Sequence, residues 1–256
     1  MRNTLTIIGL GRTVRGTPTP SSPVGLFVKR DGLQGFEGLP AGRRESLARA
    51  LSHGEHDVPV RLPARTMTVD GWIIAHDLDE LRKFAMRVRG WGATGERFPL
   101  LFDHQRLMLT ATVRRISAEA PDTGVRWHRF LRAAFQVQFL AADPRWYGET
   151  VNTLPRAGLA TAIEVEHDGN FPAHPVIEIP DAPSSYAISS PGGTFSVNGA
   201  TPGGLHRIDL RNGRVTRDGV WMESVGRGQT WAVPDEKRWP HTLSAPGRVL
   251  IQNTYV

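Results

Sequence analysis

Residues 136–148 read QVQFLAADPRWYG. Val137 and Phe139 alternate with Gln136 and Gln138, the period-two pattern of a strand with one face buried. The alternation then breaks, and Asp143-Pro144 follows. Proline has no N–H to give to a ladder, so the strand ends there. Two large aromatics, Trp146 and Tyr147, come directly after it. Such a pair marks either a site or the place where two bodies of the chain meet, and apolar packing at a junction is the expectation here.

The patterns on either side of this stretch differ. Upstream, DLDELRKFAMRVRG (77–90) predicts one amphipathic helix. Asp77 stands at the N-cap with Glu80 three residues on, and Leu78, Leu81, Phe84, Ala85 and Val88 share a face. Acids open this helix and bases close it, matching the dipole, and Asp79 with Lys83 makes an i,i+4 pair. RTMTVDGWIIA (65–75) alternates at Met67 and Val69 and is expected to bend near Gly71. FPLLFDHQRLML (98–109) predicts a hairpin turning at Asp103-His104-Gln105. RLMLTATVRR (106–115) and WHRFLRAAFQVQF (127–139) predict two long strands about a turn at PDTG (121–124). Strands of that length either wall a barrel or reach toward a neighbour.

Residues 1–60 are loop-rich. TPTPSSP (17–23) fixes several backbone angles, and ESLARAL (45–51) carries helix-forming residues for one or two turns. Downstream, 149–160 lack period and are expected to form a connector. Moderate strands then recur in ATAIEVEH, HPVIEI, YAIS, TFSVNG, LHRIDL, RVTR and GRVLIQNTYV, with no helix among them. That spacing predicts a β-sandwich or jelly roll. The expected division is 1–148, 149–160 and 161–256.

Charge follows the same division. The chain of 256 residues has a net charge of +6; residues 1–150 hold 22 basic and 15 acidic side chains, and residues 151–256 hold 9 and 10. A basic body beside a near-neutral one suggests different partners. There is no cysteine, which excludes disulfides and thiolate metal sites. No apolar run is long enough to span a bilayer, and MRNTLTIIGLGR lacks the features of a signal peptide. Synthesis and assembly in a cytoplasm are therefore expected, with no membrane partner.

Candidate chemistry is thin. GLGRTVRG (9–16) leads into TPTPSSP and not a helix, so it is no dinucleotide loop. His53 and His56 are spaced like ligands but read as exposed loop residues. Asp103-His104 has no nucleophile elbow to serve, and the turn explains both. Glu164, Glu166 and Glu178 would supply a glycosidase pair only if they converged; solvated strand faces are expected instead. Trp221, Trp231 and Trp239 would form a sugar platform only on a shared face. RWHRFLR (126–132) gives a mixed strip, with Arg126 and Arg132 placed on one side, and no nucleic-acid motif appears. No enzyme activity, catalytic residue, cofactor, metal or specific nucleic-acid binding is predicted. The interface candidates are Arg82, Lys83, Arg87, Arg89, Arg114, Arg132, Trp146 and Tyr147.

The order of these motifs resembles the distal tail protein (Dit) family of long-tailed phages. The resemblance covers about residues 55–256. It rests on GWIIA, the single helix, LLFDHQR, the long hairpin and AFQVQFLAADPRWYG, then on DGNFPAHPVIEI, GGLHRIDLRNGRVTRDG and APGRVLIQ. It implies a mainly β fold: an N-terminal split β-barrel with one helix and a C-terminal galectin-like β-sandwich. It further implies a hexameric ring in the virion at the distal end of the tail, with the tail tube, tape-measure and tail-tip hub proteins as partners. A carbohydrate-binding sandwich and a tail-associated glycan hydrolase are the alternatives.

Overall fold

Alternating strands need a second layer, and the chain supplies it in two ways. A computed structural model describes residues 5–104, 107–155, 162–235 and 237–256. The chain divides into two compact units, Met1–Trp146 (with Val256) and Tyr147–Tyr255.

In the first unit a sheet closes on itself. Its strands are β1 (Leu5–Gly9), β2 (Arg12–Arg15), β3 (Gly25–Gln34), β4 (Arg65–Ala75), β5 (Phe98–His104), β6 (Leu107–Glu119), β7 (Val125–Trp127) and β8 (Phe130–Ala141). Seven of them pair in the order β6-β5-β1-β2-β3-β4-β8, and β8 pairs back onto β6 to close a barrel. Among the described pairings of this unit, only β2 and β3 run parallel. The long strands are thus barrel wall. Val69, Ile73, Leu100, Val113, Phe135, Val137 and Phe139 are among the side chains buried in this unit.

Three glycine-dependent or turn-dependent details differ from the sequence reading. At Gly71 β4 stays in the ladder, pairing with β8 without interruption from Arg65 to Ala75. The glycine makes room: a Cβ there would lie 2.2 Å from the Phe135 ring and 2.6 Å from the Phe27 carbonyl. The irregularity sits instead in β3, between Val28 and Leu33. Likewise, the strand expected from Trp127 onward is broken by a two-residue hairpin at His128-Arg129, with Trp127 opposite Phe130 and His128 at φ 55°. This turn puts Arg126 opposite Leu131 and Arg132 opposite Val125, so the two arginines occupy opposite faces. β5 also runs through Asp103 to His104, paired with Met108 and Leu107. Asp103 and His104, expected in a turn, are therefore strand residues, and Gln105 falls outside the described residues.

The helix forms as predicted, as α1 (Leu78–Arg89). Asp77 Oδ1 accepts from the Glu80 N–H at 2.8 Å, and Glu80 Oε2 accepts from the His76 N–H at 2.7 Å. Leu81, Ala85 and Val88 are buried, while Leu78 stays partly exposed. Asp79 pairs with Arg82, not with Lys83. Arg12 of β2 donates to the Arg87 and Gly90 carbonyls, satisfying the helix C-terminus.

The second unit is a sandwich. Its strands are β9 (Trp146–Thr153), β10 (Ala162–Val165), β11 (Val176–Pro180), β12 (Tyr186–Ser190), β13 (Gly193–Val197), β14 (Leu205–Asp209), β15 (Arg214–Arg217), β16 (Val220–Met222), β17 (Gly226–Gly228), β18 (Trp239–Leu243) and β19 (Arg248–Tyr255). One sheet runs β16-β15-β14-β11-β19-β9 and the other β10-β18-β12-β13-β17. Ile177, Ile208 and Val249 from the first meet Ile188, Phe195 and Leu243 from the second in one core. Residues 149–153, read as connector, belong to β9; 156–161 lie outside the described residues.

The close approach at Gly71 gives a direct test. Gly71→Ala should destabilise the chain by about 2–3 kcal/mol, the cost of overpacking a filled core, measured by urea unfolding.

A candidate interaction surface

The most exposed part of the first unit is the connection from β3 to β4. The expected helical turns at ESLARAL do not form. Residues 37–64 instead make a thin antiparallel finger, held by bridges at Arg43↔Arg61 and Ala48↔Glu55. The Arg43 and Arg61 backbones exchange hydrogen bonds of 2.7 and 2.9 Å, and the His56 N–H reaches the Leu47 carbonyl at 2.9 Å. Leu39, Leu47, Leu51 and Val60 are 56, 71, 100 and 62 % exposed. A two-stranded ribbon with no apolar face covered is marginal alone.

Its root, by contrast, is tied down. Arg65, at the start of β4, is 2 % exposed. Its Nη1 donates to the carbonyls of Gly35, Phe36 and Gly38, and its Nε donates to the Pro144 carbonyl at 2.7 Å. Trp146 is buried beside it, with Nε1 on the Phe36 carbonyl at 3.1 Å and its ring against Phe36 and Phe102. Burial lowers the Arg65 pKa from its ordinary value. Trp146 therefore packs inside the barrel unit at the base of the finger, while Tyr147 lies in the sandwich unit with Arg211 over its ring.

A second feature lies on the outer side of β3, β4, β8 and β7. Phe27, Ile74 and Phe130 form a small apolar cluster flanked by Trp72 and Trp127. Cations stack on it: Lys29 Nζ is 4.7 Å from the Trp72 ring centre, and the Arg132 guanidinium is 4.2 Å from Trp72 and 5.5 Å from Trp127. All of these except Phe130 line a groove of about 670 Å³. Among the described residues neither cation has a carboxylate within ion-pair distance, and Arg132 Nε has no partner.

The remaining candidates do not converge. Arg82 and Lys83 are exposed, and Arg87 lies beside Phe84. Arg89 donates to the Ala120 carbonyl and to Asp122, whose carboxyl pKa is lowered by that bond. Arg114 donates to the Gly95 carbonyl. Lys83 and Arg87 line one shallow concavity, Arg89 another and Arg132 the groove above, while Trp146 is buried at the root of the finger. Lys29, Trp72 and Arg65 carry no motif in the sequence; the available signal is a cation on a strand beside a tryptophan.

The enzyme and sugar constellations come apart. Glu178 is not on a solvated face: it is buried between Arg207 and Arg248, its cross-strand neighbours, at 3.4 and 2.7 Å. Glu164 is exposed, and exposed Glu166 bonds Arg238. Trp231 is buried, Trp239 is packed against the core, and Trp221 is exposed under Arg214. The three share no face. Among the described residues no group of three or more potential ligands could hold a metal ion, and His53 and His56 lie exposed in the finger.

No family model and no curated protein sequence matches the chain. Solved structures do. The Dit (gp 19.1) protein of phage SPP1, a hub of the adsorption apparatus in phages infecting Gram-positive hosts, aligns over 99 % of this chain and 100 % of its own, with TM-score 0.72 and 14 % identity. Chains of the phage P2 baseplate, in its activated conformation with Ca and with Sr, align over 99 % of this chain and 98 % of theirs, with TM-scores 0.52 and 0.50 and identities of 8 and 7 %. The chain has the Dit-like fold: mainly β, with a closed seven-stranded barrel and one helix.

Removing the finger's tether tests its role. Arg65→Met strands the Gly35, Phe36, Gly38 and Pro144 carbonyls and should cost about 2–4 kcal/mol, with faster hydrogen exchange at 35–38 and red-shifted tryptophan emission. In the sandwich, His241 Nε2 accepts from Trp231 Nε1 at 3.0 Å, so its Nδ1–H donates to the Trp239 carbonyl. Burial lowers its pKa to about 4. The neutral form therefore contributes its full stability above about pH 6.5, and that contribution is lost as pH falls toward 4, about 3 kcal/mol in all. His241→Gln should flatten that part of the unfolding free-energy profile.

Proposed function

We propose that this protein is a structural hub of a phage tail tip, a distal tail protein that forms a closed ring joining the tail tube to the adsorption apparatus. The observation that carries this reading is the full-length correspondence of both units with the SPP1 hub protein. The exposed finger supports assembly, since Leu39, Leu47 and Leu51 are 56, 71 and 100 % exposed. A ring needs a contact between two different patches, because a self-complementary patch closes a dimer. The finger and the barrel's cation-stacked face are two such patches.

By resemblance the ring holds six copies in the virion, at the distal end of the tail, after synthesis in the host cytoplasm. Its other contacts would be the tail tube, tape-measure and tail-tip hub proteins. The role is architectural and not enzymatic: Glu178 is committed to two arginines, and the tryptophans offer no sugar platform. No described helix is long and apolar enough to cross a membrane.

Light scattering on concentrated protein tests the ring. A six-copy mass is expected. Replacing 40–62 by a short Gly-Ser link should leave monomers whose unfolding free energy is within about 1 kcal/mol of the parent, since so exposed a segment adds little to the folded state. A shortened chain that still closes the same ring would contradict the reading.

A further inference from the structure

The groove lined by Lys29, Trp72, Trp127 and Arg132 is cationic and aromatic, and among the described residues neither cation has a carboxylate within ion-pair distance. Arg132 Nε is buried without a partner, so nothing in the described chain neutralises the guanidinium from that side, while the side chain as a whole stays part-exposed. Asp31 and Glu37 also line the groove, but Asp31 is exposed beside Arg30 at the rim. The centre, where both cations lie over Trp72, is positive.

The finger carries the matching chemistry. Leu51 is fully exposed at its tip, just before the turn at Gly54. Glu45 and Glu55 pair with Arg43 and Arg44; among the described residues Asp57 is in no ion pair, and neither are Arg49 and Arg61, so Asp57 is the one finger carboxylate of the three left for a cation outside. An aliphatic tip followed by one carboxylate suits a groove with aromatic walls and unpaired guanidinium. Reach is sufficient: from Gly38 to Leu51 the outgoing limb spans up to roughly 40 Å at the strand rise of about 3.3 Å per residue. The other basic concavity, around Arg12, Arg15 and Arg87, fits less well, because Arg12 is occupied with carbonyls at the helix C-terminus and Phe84 is its single ring.

Resting on the assembly reading above, we propose that the finger of one copy docks in the Lys29–Trp72–Trp127–Arg132 groove of the next. Leu51 enters beside Trp72 and Trp127, and Asp57 pairs with Arg132. The contact joins different patches, so it propagates around a ring instead of stopping at a dimer. The leucine and the aromatic walls supply most of the affinity, and the ion pair sets the register.

The chain has no cysteine, so an introduced pair reports contact cleanly. Leu51→Cys is fully exposed, and Val125→Cys is exposed on β7, directly opposite Arg132. Under mild oxidation the double variant should give a ladder of disulfide-linked copies ending at the ring, with each single variant giving none beyond a dimer. A charge swap is the second arm. Asp57→Arg and Arg132→Asp should each raise the concentration needed for assembly by about tenfold, and the two together should recover most of it, as expected for a partly buried pair. Rings that form without an intermolecular disulfide would overturn the docking site and leave the ring reading intact. An intramolecular 51–125 disulfide would show the finger folding onto its own groove and overturn it too. Parent protein that forms no ring at any concentration would overturn the ring reading and this proposal together.

Discussion

Arg65 holds together three parts of the barrel unit that are far apart in sequence. Its guanidinium binds the chain entering the finger at Gly35, Phe36 and Gly38, its backbone leaves the finger into β4, and its Nε holds the Pro144 carbonyl after β8. Taking a cation out of water is expensive unless its donors are satisfied. Here carbonyl oxygens do most of that, with Trp146 near by at 5.9 Å. The effect is to fix both ends of a finger that has almost nothing else to fix it. A rigid root under an uncovered tip is what a segment needs if it is to fold against something outside its own unit.

The two units handle buried charge differently. In the sandwich, Glu178 sits between two arginines on adjacent strands, a cross-strand triad in which every charge has an opposite neighbour. In the barrel, Arg65, Lys29 and Arg132 are met by carbonyls and aromatic faces. That leaves the barrel with an excess of positive charge and the sandwich nearly neutral. Like charge disfavours packing identical patches together, whereas a leucine-tipped finger entering a cationic aromatic groove brings unlike surfaces into contact.

Much of this was legible in the sequence where local signals and tertiary packing agree. The cap at Asp77, the apolar face of Leu81, Ala85 and Val88, and the alternation through Ala133, Phe135, Val137 and Phe139 all appear as read. The failures have physical reasons. ESLARAL has helical propensity, yet Leu47 and Leu51 find no surface to bury against, so propensity alone does not hold a helix there. The hairpin at His128-Arg129 uses a non-glycine residue at positive φ and so gave no turn signal. The strands β16 and β17 are three residues each, too short to show a period. Glu178 looked solvated because its neighbours Arg207 and Arg248 are distant in sequence. The Arg65 clamp depends on carbonyls, which sequence does not distinguish.

A cryo-electron microscopy reconstruction of the assembled tail tip tests the central claim most directly. The account predicts six copies in a closed ring made by the barrel units, with density for residues 40–62 of each copy on the barrel of its neighbour. A tip without such a ring, or a ring closed by the sandwich units with every finger lying free, would contradict it.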